Sequence, residues 1–181
     1  AASLNKDIAE WFHAAGIVIL EGYGLTESSA GSFVNHPQQY RFGTVGLVFP
    51  GSEVKLGEGD EILIRGPGIM DGYHNLPEAT RDLIDDDGWM YSGDLGYVDD
   101  DGYLWLTGRK KDLIINAAGK NIAPSEIESA LSMEPLIGQA VVVGEGRRFL
   151  TALIALDADA AADWARQHGS FSEVADLAHD E

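Results

Sequence analysis

The feature that most constrains this chain is a hairpin signature between residues 89 and 109. Trp89–Tyr91 and Gly96–Val98 alternate apolar and polar side chains, as half-buried strands do. Asp99-Asp100-Asp101-Gly102 follows as a turn, because Gly accepts a positive φ and Asp side chains bond to nearby backbone. Tyr103–Leu106 then returns as a second β-rich run. That reversal predicts that Asp94, just after one strand, and Arg109, just after the other, meet at one end. A carboxylate that only accepts, beside a guanidinium with five donors, suits a vicinal diol such as ribose hydroxyls near a phosphate. The alternative is an exposed ion pair at a hairpin end, which is common and contributes little.

Charge sharpens the choice of ligand. The chain of 181 residues carries a formal charge of −18, which repels nucleic acid as a partner. A single nucleotide requires a local concentration of cations, and Arg109, Lys110, Lys111 and Lys120 form one. Arg147 and Arg148 read as a second, smaller cluster on a solvated turn. Hydrophobic residues make up 45%, enough for the core of one domain or one and a half small ones. The absence of cysteine excludes a disulfide framework and a thiol nucleophile. No apolar run reaches membrane-spanning length, and AASLNKDIAEWF lacks the order of a signal peptide. A cytoplasmic protein is expected.

Along the chain, residues 5–15 predict an amphipathic helix with Leu4, Ile8, Trp11, Phe12 and Ala15 on its apolar face. Gly16 stands where a C-terminal cap belongs. Ile17–Leu20 reads as a short buried strand, suggesting an α/β layer with its site at the strand's C-terminal end. There the loop Glu21-Gly22-Tyr23-Gly24-Leu25-Thr26-Glu27-Ser28 offers close backbone approach, a flat ring, a hydroxyl and a carboxylate suited to phosphate-bound Mg²⁺. A tight polar loop without a ligand is the other reading. Ser52–Leu56 and Glu61–Arg65 alternate about a Gly57–Asp60 turn and are expected to serve as scaffold. Pro77 opens a predicted helix. The run Asp85-Asp86-Asp87-Gly88 reads as a solvated turn, since its carboxylates lack metal-site spacing.

Beyond Arg109 the expected elements are a strand at Leu113–Ile115 and a small-residue loop, Ala117-Ala118-Gly119-Lys120-Asn121. A helix over Pro124–Leu131 follows, with Ile127, Ala130 and Leu131 inward. Two buried-type strands come next, Ala140–Val143 and Leu150–Leu156. The helix at Ala158–His168 carries Ala161, Trp164, Ala165 and His168 on one side, and His168 reads as a helix-end residue rather than a catalyst. This order suggests a compact α+β domain.

The motifs YGLTE at residues 23–27, YSGD at 91–94, TGRKKD at 107–112 and GKNIAPSEIE at 119–128 resemble those of the adenylate-forming superfamily. That superfamily comprises acyl-CoA synthetases, luciferases and the adenylation domains of peptide synthetases. The element DEILIRG at 60–66 is similar to its GEL-x-I-x-G, with DE in place of GE, and Met70-Asp71-Gly72-Tyr73 continues the likeness. The implied architecture is the end of a large AMP-binding domain over residues 1–108, an α/β layer with a small β-barrel-like subdomain. A mobile, incomplete α+β domain over 109–181 follows, with the hinge at 109–112.

The resemblance implies that Tyr23 stacks on adenine, Thr26 contacts the α-phosphate and Glu27 holds Mg²⁺. It implies that Asp94 binds the ribose hydroxyls and that Arg109 serves the ribose and phosphate. Gly22, Gly24 and Leu106 are further implied nucleotide contacts, and Gly119 and Lys120 lie in the loop implied to approach coenzyme A. Asn121 stands where relatives often carry Arg, so no phosphate contact is carried over to it. Lys111 is the implied pivot between half-reactions, and Thr26, Glu27 and Lys111 are assigned to catalysis. Acetate-using members carry Trp at the position of Gly24, so a longer acyl chain is implied here. The wording is closest to bacterial long-chain acyl-CoA synthetases.

The expected parent reaction joins a fatty acid to ATP, giving acyl-adenylate and pyrophosphate, and then to coenzyme A. Peripheral association of the parent with a membrane is compatible with such a substrate. A ligase passing its adenylate to a carrier protein, or a non-catalytic nucleotide-binding module, are the alternatives. The family's Ser/Thr/Gly-rich phosphate loop ending in Lys, and its C-terminal lysine, have no counterpart in these residues. The chain is therefore expected to be an inactive piece of a larger enzyme.

Overall fold

The computed structural model describes residues 4–168. The chain divides into two compact units, the first ending at Lys111 and the second beginning at Asp112. No described helix is long and apolar enough to cross a membrane.

The first unit opens with α1 (Lys6–Ala14), capped by the Asn5 side chain accepting from the Asp7 N–H at 2.8 Å. Gly16, at φ 85°, closes it by donating to the His13 carbonyl, while Ile17 N–H returns to Phe12 O. The expected apolar face is not the buried one. Ala9 is the buried residue of α1, whereas Ile8 and Trp11 are exposed, Trp11 by 65%. Nor is Ile17–Leu20 a strand. An apolar run becomes a buried strand only when a neighbour supplies hydrogen bonds and cover. No described strand pairs with this one, and Ile17 and Val18 are exposed.

Three two-residue strands, β1 (Gly22–Tyr23), β2 (Phe33–Val34) and β3 (Leu47–Val48), make a small antiparallel sheet. The main sheet is an antiparallel meander of β4 (Glu53–Leu56), β5 (Glu61–Arg65), β6 (Met90–Val98) and β7 (Leu104–Arg109). Short helix α2 (Pro77–Leu83) precedes β6, with Pro in its first turn. The β-barrel-like subdomain expected from the sequence is an open sheet: β4 and β7 are its edges and do not pair. The two runs at 89–91 and 96–98 belong to one strand, because the chain between them is irregular rather than broken. Phe33, Val45, Ile62, Ile64, Met90 and Leu104 form the core, drawn from both sheets. Reciprocal bonds, Val45 N–H to Leu104 O and Leu104 N–H to Gly46 O, hold the small sheet's loop against β7.

At its distal end the β6–β7 hairpin turns through Asp99, whose carboxylate accepts from the Asp101 and Tyr103 N–H groups, the Trp105 indole and Arg41. Gly102 takes φ 87°. The Asp85–Gly88 segment is likewise a turn, its Asp85 side chain accepting from the Asp87 and Trp89 amides.

The second unit contains a two-residue hairpin of β8 (Ile114–Ile115) and β9 (Asn121–Ile122), then α3 (Pro124–Leu131), the ribbon β10 (Ile137–Val143) with β11 (Thr151–Leu156), and α4 (Ala158–His168). The Glu128 carboxylate of α3 accepts from the Val142 N–H at 2.8 Å, joining helix to ribbon. The ribbon is not the buried pair of strands expected. Val142 is buried, but Val141, Val143 and Leu153, on the opposite face of the two-stranded ribbon, are exposed, and so is Ile154. Ala130 is exposed too, so of the three residues expected inward on α3 only Ile127 and Leu131 are half-buried. His168 stacks on Trp164 at 4.4 Å at the end of α4.

Candidate nucleotide site

The site is built on an irregularity in β6. Between Tyr91 and Leu95 this strand carries Ser92, Gly93 and Asp94 opposite the single Ile62 of β5. Surplus residues in a ladder re-aim the side chains they carry. Three bonds hold the surplus in place. Ser92 Oγ donates to Ile62 O at 2.7 Å, the Asp94 N–H donates to Ser92 Oγ at 3.1 Å, and the Gly93 N–H donates to Glu61 Oε1 at 3.1 Å. Gly93 takes φ 71°, which costs a residue without Cβ little. On the other side Thr107 is the extra residue of β7, falling between the partners of Leu95 and Gly96. Asp94 thus lies between two breaks in register, directly opposite Arg109.

Asp94 is buried, at 5% exposure. Its Oδ2 accepts from the Tyr23 hydroxyl at 2.6 Å, and its Oδ1 pairs with Arg109 Nε at 2.9 Å. The sequence placed these residues at one end of a hairpin, and the structure brings them into contact. A buried carboxylate is costly unless paired and hydrogen-bonded. Here it is both, which an exposed hairpin-end pair would not be. An ionised carboxylate offers about four acceptor positions, so two contacts leave capacity for hydroxyl donors. Arg109 is half exposed, and its terminal nitrogens carry the remaining donors of the guanidinium. Burial, and then the bond to Asp94, push the Tyr23 phenol well above the ordinary tyrosine range. Tyr23 therefore stays a neutral donor and its ring is fixed from the hydroxyl end, 6.0 Å from the Phe33 ring.

The loop after Tyr23 is shaped by close backbone approach. A Cβ on Gly24 would stand 2.3 Å from Ala30 O, so glycine is required here by the loop's own path. Thr26–Ser28 form a single 3-10 turn, closed by Ser28 Oγ accepting from the Leu25 N–H at 2.9 Å. Thr26 is exposed and Glu27 half-buried. The Tyr73 hydroxyl donates to Glu27 Oε1 at 2.7 Å and lowers the Glu27 carboxyl from its ordinary value. The same bond raises the Tyr73 phenol. Two more contacts tie these segments, Met70 N–H to Glu27 O and Ser29 Oγ to Gly68 O. Among the described residues no three carboxylate or imidazole groups converge on a metal position. Glu27 fits Mg²⁺ in the way a lone hard carboxylate does, as one ligand to an ion that arrives on phosphates.

The other expected contacts are spread over several elements. Gly22 is exposed on β1, and Leu106 is half-buried against the core from β7. Lys111 closes the first unit within a 3-10 turn, Lys110–Asp112. Gly119 and Lys120 belong to the second unit, in a turn organised by Asn116 Oδ1, which accepts from the Ala118 and Lys120 amides. Sequence reasoning gave no role to Tyr73, which a polar loop alone does not flag. It assigned Glu61 to scaffold, although a glutamate at the start of an otherwise apolar strand was the available signal.

Known proteins resemble this chain along its length. A family described as AMP-binding enzyme matches residues 1–74, and its C-terminal domain matches residues 111–175. A Mycobacterium tuberculosis protein named putative fatty-acid–CoA ligase fadD11 is 43% identical over 181 residues, 99% of this chain and 32% of the relative. The chain thus spans about a third of that relative's length. The Bacillus subtilis o-succinylbenzoate CoA synthetase MenE with its acyl-adenylate intermediate superposes with a TM-score of 0.77 at 26% identity, over 94% of this chain and 39% of that one. The same enzyme with ATP and magnesium gives 0.75 at 26% identity, over 96% and 40%. With two successive domain matches and relatives along its whole length, the chain belongs to the adenylate-forming, AMP-binding enzyme family.

Proposed function

We propose that this chain supplies the ribose- and phosphate-facing part, and the C-terminal unit, of an ATP-dependent ligase joining a long-chain fatty acid to coenzyme A. One observation carries the reading. Asp94 is a buried carboxylate held by Tyr23 and Arg109, and it retains acceptor capacity for a diol. The names of relatives support a fatty acid and coenzyme A as substrates, and the AMP, ATP and magnesium bound to MenE support the nucleotide.

In this reading Asp94 accepts from the ribose hydroxyls and Arg109 balances its charge at the phosphate end. The Thr26 hydroxyl donates to the α-phosphate. Glu27 would hold Mg²⁺, which supplies neutralisation of phosphate charge when bound. The acid's carboxylate oxygen attacks the α-phosphorus and pyrophosphate leaves. The coenzyme A thiol, after losing its proton, then attacks the acyl carbon and AMP leaves. No protein nucleophile is needed, and rate comes from positioning and charge stabilisation. Residues 1–108 and 109–181 act as two domains with a hinge at 109–112. Lys111 is the pivot between the steps, and the Gly119–Lys120 turn receives coenzyme A. The local reason for Gly24 is independent of acyl length, so chain length rests on the relatives alone.

The test is AMP release by the full-length protein, given ATP, Mg²⁺ and fatty acids of increasing length, with and without coenzyme A. Release that requires coenzyme A and peaks with long acids is expected. Turnover with no acid would overturn the proposal.

A further inference from the structure

Asp94 and Arg109 each have a neighbour in the chain that leads to the same third residue. Gly93, immediately before Asp94, donates its N–H to Glu61 Oε1 at 3.1 Å. Lys110, immediately after Arg109, reaches Glu61 Oε2 with its ammonium at 2.8 Å. Glu61 is itself buried, at 5% exposure, at the start of β5. A charged side chain in that setting is retained only where its bonds are satisfied. Here both oxygens are engaged, one by Gly93 of β6 and one by Lys110, the residue that follows β7. An ordinary ladder cannot hold this region, because β6 has surplus residues here and β7 has one as well. The carboxylate gives the Gly93 N–H the acceptor that the ladder does not supply, and ties Lys110 to the same point.

We infer that Glu61 is a positioning residue for the nucleotide: by clamping Gly93 and Lys110 it fixes how the Asp94 carboxylate and the Arg109 guanidinium face the ribose. It touches no substrate and acts through Asp94 and Arg109. The inference rests on the proposal that Asp94 receives the ribose.

The experiment measures the dissociation constant for AMP by calorimetry on the full-length protein, comparing wild type, Glu61→Ala, Glu61→Gln, Asp94→Ala and the Glu61→Ala/Asp94→Ala double variant. Small displacements of positioned groups cost up to about 100-fold, so Glu61→Ala is expected to weaken AMP binding on the order of 10-fold. Glu61→Gln keeps an acceptor for Gly93 but no charge for Lys110, and falls between wild type and Glu61→Ala, so a folded variant remains if Ala at this buried site unfolds the protein. The decisive readout is the coupling measured with the double variant, which a merely structural role would leave at zero. If Glu61 acts through Asp94 and Arg109, removing it costs less once Asp94 is gone than it does in the wild type. Equal AMP affinity in wild type and both Glu61 variants, with Asp94→Ala weakened, overturns this inference alone, as does full additivity in the double variant. Unchanged affinity in Asp94→Ala overturns the nucleotide assignment itself.

Discussion

At the scale of single residues, the site depends on groups held in one ionisation state. Tyr23 donates to Asp94 from a half-buried position, and folding raises its pKa. The folded chain therefore keeps a proton that the unfolded chain loses above about pH 10. Stability from this bond is complete below that value and falls as pH rises through the folded pKa. Tyr23→Phe should reduce the alkaline slope and, near neutral pH, cost about 1.5–3 kcal/mol, the value of a hydrogen bond to a charged group. Urea unfolding at a series of pH values reads both effects, and an unaltered alkaline slope in the variant would refute the assignment. Gly24 is fixed by a different force. Its missing Cβ admits Ala30 O, so Gly24→Ala should cost about 1–3 kcal/mol from overpacking, measured as a lower urea midpoint. A neutral Gly24→Ala would return the residue to an acyl-pocket role alone.

At the scale of elements, legibility followed the range of the contact. The Asp99–Gly102 turn is local, and once it was recognised the meeting of Asp94 with Arg109 followed from strand geometry alone. Pro124–Leu131 and Ala158–His168 were likewise readable from their periodicity. The Glu61–Lys110 and Glu27–Tyr73 contacts join residues 49 and 46 positions apart, and no spacing rule reaches that far. Apolar runs misled for a related reason. Ile17–Leu20 and Thr151–Leu156 have the composition of buried strands, but burial is conferred by a neighbour that composition does not name. This difference is measurable. Ile62, fully buried in the core, should lose about 2–5 kcal/mol on replacement by Ala. Leu153, 69% exposed on the ribbon, should change by less than about 0.5 kcal/mol in this chain. Chemical denaturation of both variants checks the pair, and a large loss at Leu153 would mean that the ribbon face is covered.

At the scale of the whole molecule, the chain is two compact units that meet in sequence between Lys111 and Asp112. The first holds the Asp94 cluster and the second the Gly119–Lys120 turn. In the proposed reading an acid is first activated and then transferred, with Lys111 as the pivot between the two steps. If the linker is the pivot, restricting it should separate the two steps. Proline at position 111 fixes its own φ and drives Lys110 away from helical backbone, within the 3-10 turn observed there. Lys111→Pro in the full-length protein should therefore keep acid-dependent exchange of pyrophosphate with ATP, because Asp94, Arg109, Thr26 and Glu27 all precede the substitution. Thioester formation from preformed acyl-adenylate should fall by as much as about 100-fold, the scale of a mispositioned reactant. Equal loss of both half-reactions would mean that the substitution disturbs the nucleotide pair through Lys110 and Glu61. Equal retention would mean that the chain turns somewhere other than Lys111.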